Sequence, residues 1–241
     1  MNKIHIDNTI EVLVTKGVQY TGDIKNRNAD PGNERGEMRK EGSGKTGIPP
    51  PEIAAAIEWL CVQKKAGVQE FADWDLCTLL EYISGTHHQL IRENAVVIYD
   101  LAQKLAYRHS DVHPELTAFV TALFFFLHNL LNHLKREEQI LFPTIKQLLK
   151  DNSQGEKGRY TTFGIIEEWV LLMEKEHQSS CKSLKLLNEL TNNFSIPSDA
   201  SDAYRSLFTR MQEFETGLLL LMSIESTFLF PKALAVDGEQ G

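Results

Sequence analysis

The sequence predicts an all-α protein, an up-down-up-down four-helix bundle with a short N-terminal extension. Three observations carry this. From Asp73 onward, apolar residues recur every three or four positions in four long segments, the spacing of one face of a helix. The breaks between segments are short and rich in Gly, Pro, Ser and Asp. The second and fourth segments end alike, in a glutamate, three residues, then Leu-Phe-Pro (Glu137 to Pro143 and Glu225 to Pro231), so the bundle is expected to consist of two similar helix pairs.

Residues 1–70 form the extension. Residues 1–21 are a short segment of ambiguous pattern, and 22–51 are crowded with Gly, Pro, Asn and charge, as in a linker or loop. The GSGKT inside this stretch is not a phosphate-binding loop, because Arg39 stands where the first glycine of that motif belongs and no buried strand precedes it. Residues 51–66 are predicted as a helix with prolines at its start.

Residues 71–236 are the bundle. The first helix is expected to turn Leu80, Ile83, His87, Leu90, Asn94, Val97, Leu101 and Leu105 inward. The second presents Phe119, Ala122, Phe126, Leu130, His133, Glu137 and Ile140. The third, after GEKGRY, presents Ile166, Val170, Met173, His177, Cys181, Leu184 and Leu187. The fourth, after IPSDAS, presents Tyr204, Leu207, Met211, Phe214, Leu218, Leu221, Glu225 and Phe228. Each list is one stripe, and short connections make neighbouring helices antiparallel. Phe142-Pro143 and Phe230-Pro231 are expected to end or bend their helices, since proline donates no helical hydrogen bond.

Bulk properties narrow the function. Among 241 residues 42% are hydrophobic, enough for a sizeable core, and the net charge of −8 argues against a nucleic-acid partner. No uninterrupted apolar run reaches the ~18 residues of a membrane span, and the N-terminus lacks a basic-then-apolar leader. Cys61, Cys77 and Cys181 are odd in number and far apart, which fits a reducing compartment. A soluble cytoplasmic protein is expected. No Ser-His-Asp or Cys-His arrangement supports hydrolase chemistry.

The stripes contain groups foreign to an apolar core: His87, His133 with Glu137, His177, and Glu225. Their spacing repeats, with Glu137 and Glu225 88 residues apart (225 − 137) and His87 and His177 90 apart (177 − 87). Residues four apart on a helix share a face, so His133 and Glu137 can reach one point. A buried unpaired carboxylate costs several kcal/mol or keeps its proton. A cation removes that cost, and imidazole with carboxylate suits iron, manganese or zinc. Two carboxylates facing each other across a bundle axis suit a metal pair. In the second half Leu221 stands where His133 stands in the first. Of the other polar groups, His88 points about 100° from His87 on an ideal helix and is expected in solvent, with His113. His128 falls off the face of His133, and in KREE (135–138) only Glu137 falls on the inner stripe. Cys181 and Met222 are read as packing groups.

The segments THHQLIRE, HLKREEQILFP, EKEH and IESTFLFPKAL together resemble the hemerythrin-like domain of the iron–sulfur cluster repair proteins, also called repair-of-iron-centres proteins, from about Trp74 to Leu234. The resemblance implies a four-helix bundle around a non-haem di-iron centre, with His87, His133, Glu137, His177 and Glu225 as ligands and His109 as a site-lining group. It implies a stress-response role, restoring iron–sulfur clusters damaged by nitric oxide or oxidants, with damaged iron–sulfur proteins as partners. It implies an iron donor rather than a turnover enzyme. Oxygen or nitric oxide are the small ligands of some related bundles, so a sensor or carrier is an alternative, and a degenerate interaction module without metal is another. Two departures from the family stand out. Leu221 replaces the histidine of the fourth helix, leaving a di-iron centre or one tight and one weak iron. Residues 1–60 contain no cysteine, where family members often carry an adjacent pair.

Overall fold

The computed structural model describes residues 68–153 and 164–238. The N-terminal extension up to residue 67, with the helix expected at 51–66, lies outside the described residues. The described residues contain helices and no strand. In chain order these are α1 (Val68–Asp73), α2 (Leu76–Tyr82), π1 (Ile83–His88), α3 (Gln89–His109), α4 (Glu115–Arg136), π2 (Glu137–Leu141), α5 (Phe142–Ser153), α6 (Ile165–Leu190), α7 (Asp202–Ile224), π3 (Glu225–Leu229) and α8 (Phe230–Gly238). Four continuous rods result: α2–π1–α3, α4–π2–α5, α6, and α7–π3–α8. The second packs on the first and third, and α3 packs on α7. This is the four-helix bundle that the periodicity predicts.

Local chemistry sets the helix ends. Asp75 starts α2 by accepting from the Thr78 N–H at 2.8 Å, and Ser201 starts α7 by accepting from the Tyr204 N–H. Asn192, Asn193 and Phe194 after α6 all have positive φ, between 50° and 57°. Asparagine tolerates this region, but phenylalanine rarely does. Phe194 is held there by its fully buried ring, which packs on Phe119 and Phe208 at the end of the core. At the opposite end Lys232 of α8 donates to the carbonyls of Ala72 and Trp74, tying α1 to an aromatic cluster of Phe71, Trp74, Tyr82 and Phe228.

The three π turns correct the sequence-derived stripes. A π turn carries an i→i+5 hydrogen bond and takes an extra residue per turn. In the first rod the expected inward positions from Leu90 to Leu101 are each one residue early, while Leu105 is buried as expected. Leu90 is 51% exposed, whereas Ile91 is 5% exposed, and Ala95, Ile98 and Ala102 are buried in place of Asn94, Val97 and Leu101. Ile140 and Phe228 likewise yield to Leu141 and Leu229, one place later and fully buried. In α6, which has no π turn, every expected inward residue is buried.

The prolines do not end their helices. Pro143 and Pro231 are the second residues of α5 and α8, and helix continues through both. The preceding π turn redirects the hydrogen bonds, so a residue without an N–H fits where a regular α-helix would need a donor. Two stretches, Glu115–Ser153 and Asp202–Gly238, are long and apolar enough by composition to cross a membrane, contrary to the sequence expectation. About half of each apolar window is buried inside the bundle, and each rod carries a fully buried glutamate facing the other helices, so they are core helices and indicate no membrane.

Candidate metal centre

Glu137 opens π2 and Glu225 opens π3, and both carboxylates are 0% exposed. They meet at the middle of the bundle. His133, Glu137, His177 and Glu225 each offer a ligand atom, all within 4.8 Å of one another. His133 Nε2 lies 3.5 Å from Glu137 Oε2, the i,i+4 pairing on one helix face, and His177 Nε2 lies 3.1 Å from Glu225 Oε2. The His133 and His177 rings stand nearly edge-to-face, 5.0 Å apart. Four of the five expected ligand residues are thus brought together.

The fifth, His87, is not among them. His88 takes the inner place: it is 0% exposed, with Nε2 3.4 Å from Glu137 Oε2 and 3.7 Å from Glu225 Oε1. The expectation of a solvated His88 fails because it assumed an unbroken α-helix. The π turn Ile83–His88 makes the inward step from Ile83 five residues long, to His88 rather than His87. His87 is still 92% buried (8% exposed), packed edge-on against Tyr82. The other histidines among the described residues stand away from the centre. His109 ends α3, 21 residues and roughly 30 Å along the helix from His88. His113 contacts Glu115 and Asp199. His128 is buried, stacked on Phe124 and bonded to Asn132. Cys181 and Met222 are buried.

Two of the three inner imidazoles, His88 and His133, are oriented from behind, whereas His177 Nδ1 has no hydrogen-bond partner. His88 Nδ1 donates to Glu138 Oε1 at 2.9 Å, and Arg92 grips both Glu138 oxygens at 2.8 Å. His133 Nδ1 donates to Glu176 Oε2 at 2.9 Å, and Arg136 binds the other Glu176 oxygen at 2.6 Å. A carboxylate on Nδ1 leaves Nε2 as the free lone pair aimed at the centre, the usual arrangement around a ligating histidine. Sequence reasoning missed Glu138, Arg136 and Arg92, reading KREE as a solvated face apart from Glu137. The available signal was an arginine one turn beyond each histidine, Arg92 after His88 and Arg136 after His133. The Leu-Phe-Pro repeat has a role here too. Phe142 stacks on His88 and Phe230 stacks on His177, each at 5.7 Å between ring centres.

The electrostatics show what the pocket lacks. Both oxygens of Glu137 and of Glu225 are buried without a hydrogen-bond partner, as are His88 Nε2 and His177 Nε2. Native proteins rarely leave such groups unpaired. Burial alone would lower the His88 pKa, but Glu137, Glu138 and Glu225 around it outweigh this and push it up to about 11. His133 is likewise raised against its burial, by Glu137 and Glu176. Burial would raise Glu225, but His177 and His88 hold it down to about 2. Burial lowers His87. A cation among imidazole nitrogens and carboxylate oxygens would pair every orphaned group, so the residues fit a metal, and the mixture suits iron, manganese or zinc.

The arrangement is lopsided. Two imidazoles, His88 and His133, approach Glu137 Oε2, whereas His177 approaches Glu225 Oε2. Leu221, 1% exposed, precedes Glu225 by four residues, as His133 precedes Glu137.

Comparison with known proteins finds relatives. The chain is 29% identical over 165 residues to the iron–sulfur cluster repair protein YtfE of Yersinia pseudotuberculosis serotype O:1b, covering 67% of this chain and 69% of that one. It is 28% identical over the same length to the protein of that name from Yersinia pestis strain Pestoides F. The chain is a relative of the iron–sulfur cluster repair proteins. The resemblance carried by HLKREEQILFP and its partner segments therefore stands, and 165 residues is about the length of the bundle. No family model matches the chain.

Proposed function

We propose that this chain binds non-haem iron at the centre of its bundle and serves in repairing iron–sulfur clusters, as its relatives' names describe. His133, Glu137, His177 and Glu225 hold one iron tightly. His88, with the two glutamates, would hold a second iron more weakly, because Leu221 contributes no ligand. Bound iron would supply redox change and an open coordination position for small ligands such as oxygen or nitric oxide. The protein's own groups do the rest: Glu138 and Glu176 fix His88 and His133, Phe142 and Phe230 shield His88 and His177, and the glutamates neutralise the cation. A half-ligated iron is easier to give up than a fully ligated one, which favours an iron donor to damaged iron–sulfur proteins over a turnover enzyme. The acidic charge and well-separated cysteines favour the cytoplasm.

One observation carries this reading: four buried carboxylate oxygens, all without a hydrogen-bond donor, facing three imidazoles. The test is metal analysis after anaerobic reconstitution with iron(II), on the wild type and on Leu221→His. The wild type is expected to keep about one iron per chain through gel filtration and the variant about two. A wild type that keeps none sinks the proposal.

A further inference from the structure

Three imidazoles face the buried carboxylates, and they differ at the nitrogen that points away. His88 Nδ1 is bonded to Glu138 and His133 Nδ1 to Glu176, each at 2.9 Å, and an arginine grips each of those carboxylates in turn. His177 Nδ1 is buried and has no hydrogen-bond partner. Apart from its Nε2, the His177 ring is held by packing. Phe230 stacks on it at 5.7 Å, and the His133 ring stands nearly edge-on at 5.0 Å. His88 has the matching stack from Phe142, also at 5.7 Å, but has the Glu138 bond besides.

Resting on the iron-centre reading above, we propose that His177 is the ligand that lets go when the tightly held iron is released, with Phe230 as the positioning residue that restrains it. A metal bound at Nε2 confines the ring proton to Nδ1. In His133 that N–H meets a carboxylate, with the metal and without it. In His177 it is a buried donor without an acceptor, which costs free energy in the loaded protein. When the ring releases the metal the proton can return to Nε2, which lies 3.1 Å from Glu225 Oε2. The metal-free ring is then better satisfied than the ligating one. His88 and His133 carry no such bias, because their Nδ1 proton has its acceptor in both states. A carboxylate behind a ligating histidine is worth roughly 10–100-fold in metal affinity, and His177 lacks one. His133, Glu137 and Glu225 stay on the ion while His177 is away. One incoming donor then replaces one outgoing donor, which avoids a bare ion in an apolar interior.

Two measurements on the full-length protein test this. Zinc(II) is diamagnetic and takes the same imidazole and carboxylate donors. In the zinc(II)-loaded wild type, carbon-13 relaxation dispersion at the imidazole Cδ2 positions is expected to show microsecond-to-millisecond exchange at His177 and none at His133. Loss of iron(II) from the reconstituted protein to an excess of a coloured chelator is followed in Phe230→Leu and Phe142→Leu. Each removes a buried ring stacked on an imidazole, but the His88 that Phe142 covers stays tied to Glu138. Phe230→Leu is expected to speed loss of the tightly held iron at least about tenfold, and Phe142→Leu to leave that phase within about twofold of the wild type. A His177 ring as still as His133 overturns the proposal, as does equal acceleration by the two variants or none by Phe230→Leu. Should Phe230→Leu not fold, the relaxation measurement on the wild type decides alone. If the wild type takes up neither metal the centre itself is wrong and this proposal falls with it, whereas uptake with a rigid His177 removes only the release step.

Discussion

Stripping iron from the protein with a chelator is expected to lower its melting temperature by roughly 8–16 °C. A ligand present at about a thousand times its dissociation constant stabilises the folded state by about 4 kcal/mol. For a chain of 241 residues each kcal/mol is worth about 2–4 °C. The structure says why the folded state should hold the ion so well and the unfolded chain poorly. Glu137 and Glu225 lie 88 residues apart in sequence (225 − 137), so only the folded bundle brings four carboxylate oxygens and three imidazoles together. The assay is differential scanning calorimetry of the iron(II)-loaded and chelated protein, with the Glu137→Gln, Glu225→Gln double variant alongside. The double variant should melt at the same temperature with and without iron. A wild type that also melts identically in both states refutes the claim that a cation compensates these carboxylates.

The register set by π1 makes His88→Ala reduce bound iron while His87→Ala leaves the equilibrium count unchanged, as measured by metal analysis. Glu138→Gln and Glu176→Gln, which loosen the orientation of His88 and His133, should each weaken iron(II) binding roughly 10–100-fold in competition titrations. For the chelated protein, the pH dependence follows from the shifts. His88 is raised to about 11, so its contribution is complete below about pH 6.5 and is lost as pH rises through 11. Glu138 and Glu225 are lowered to about 2, so theirs is complete above about pH 4.5 and is lost as pH falls toward 2. Denaturant titrations of the chelated protein should therefore show declining stability at both extremes.

The four helices and most of the centre were legible in the sequence because their signals are periodic. His133 and Glu137 precede the extra residue of π2, and His177 sits in a helix without any, so a spacing of 3.6 placed them correctly. His88 was misread because nothing in ISGTHH announces a π turn. Only the downstream burial of Ile91, Ala95 and Ile98 reveals the added residue. The backing pairs Arg92–Glu138 and Arg136–Glu176 were hidden for another reason. Their side chains are partly exposed, so by pattern alone they look like any solvated helix face, and only the partner helix gives them a buried imidazole to hold.

Leu221→His offers a sharper test than counting iron, because its effect on stability should change sign with the metal. The two halves of the scaffold still match. Each glutamate opens a π turn, each Leu-Phe-Pro phenylalanine stacks on a histidine of the preceding helix, and Leu221 precedes Glu225 as His133 precedes Glu137. At this position the asymmetry therefore lies in the side chain, although the first half also has the turn π1 that α6 lacks. In chelated protein, trading a core leucine at 1% exposure for an imidazole loses apolar packing and buries a polar ring, which should cost about 2–4 kcal/mol. With excess iron(II) the same imidazole completes the His88 side, and the variant should recover that loss or exceed the wild type. Denaturant midpoints in the two conditions measure both numbers. Destabilisation of equal size with and without iron would mean that position 221 does not face the metal, and the two-fold reading of the centre would be wrong.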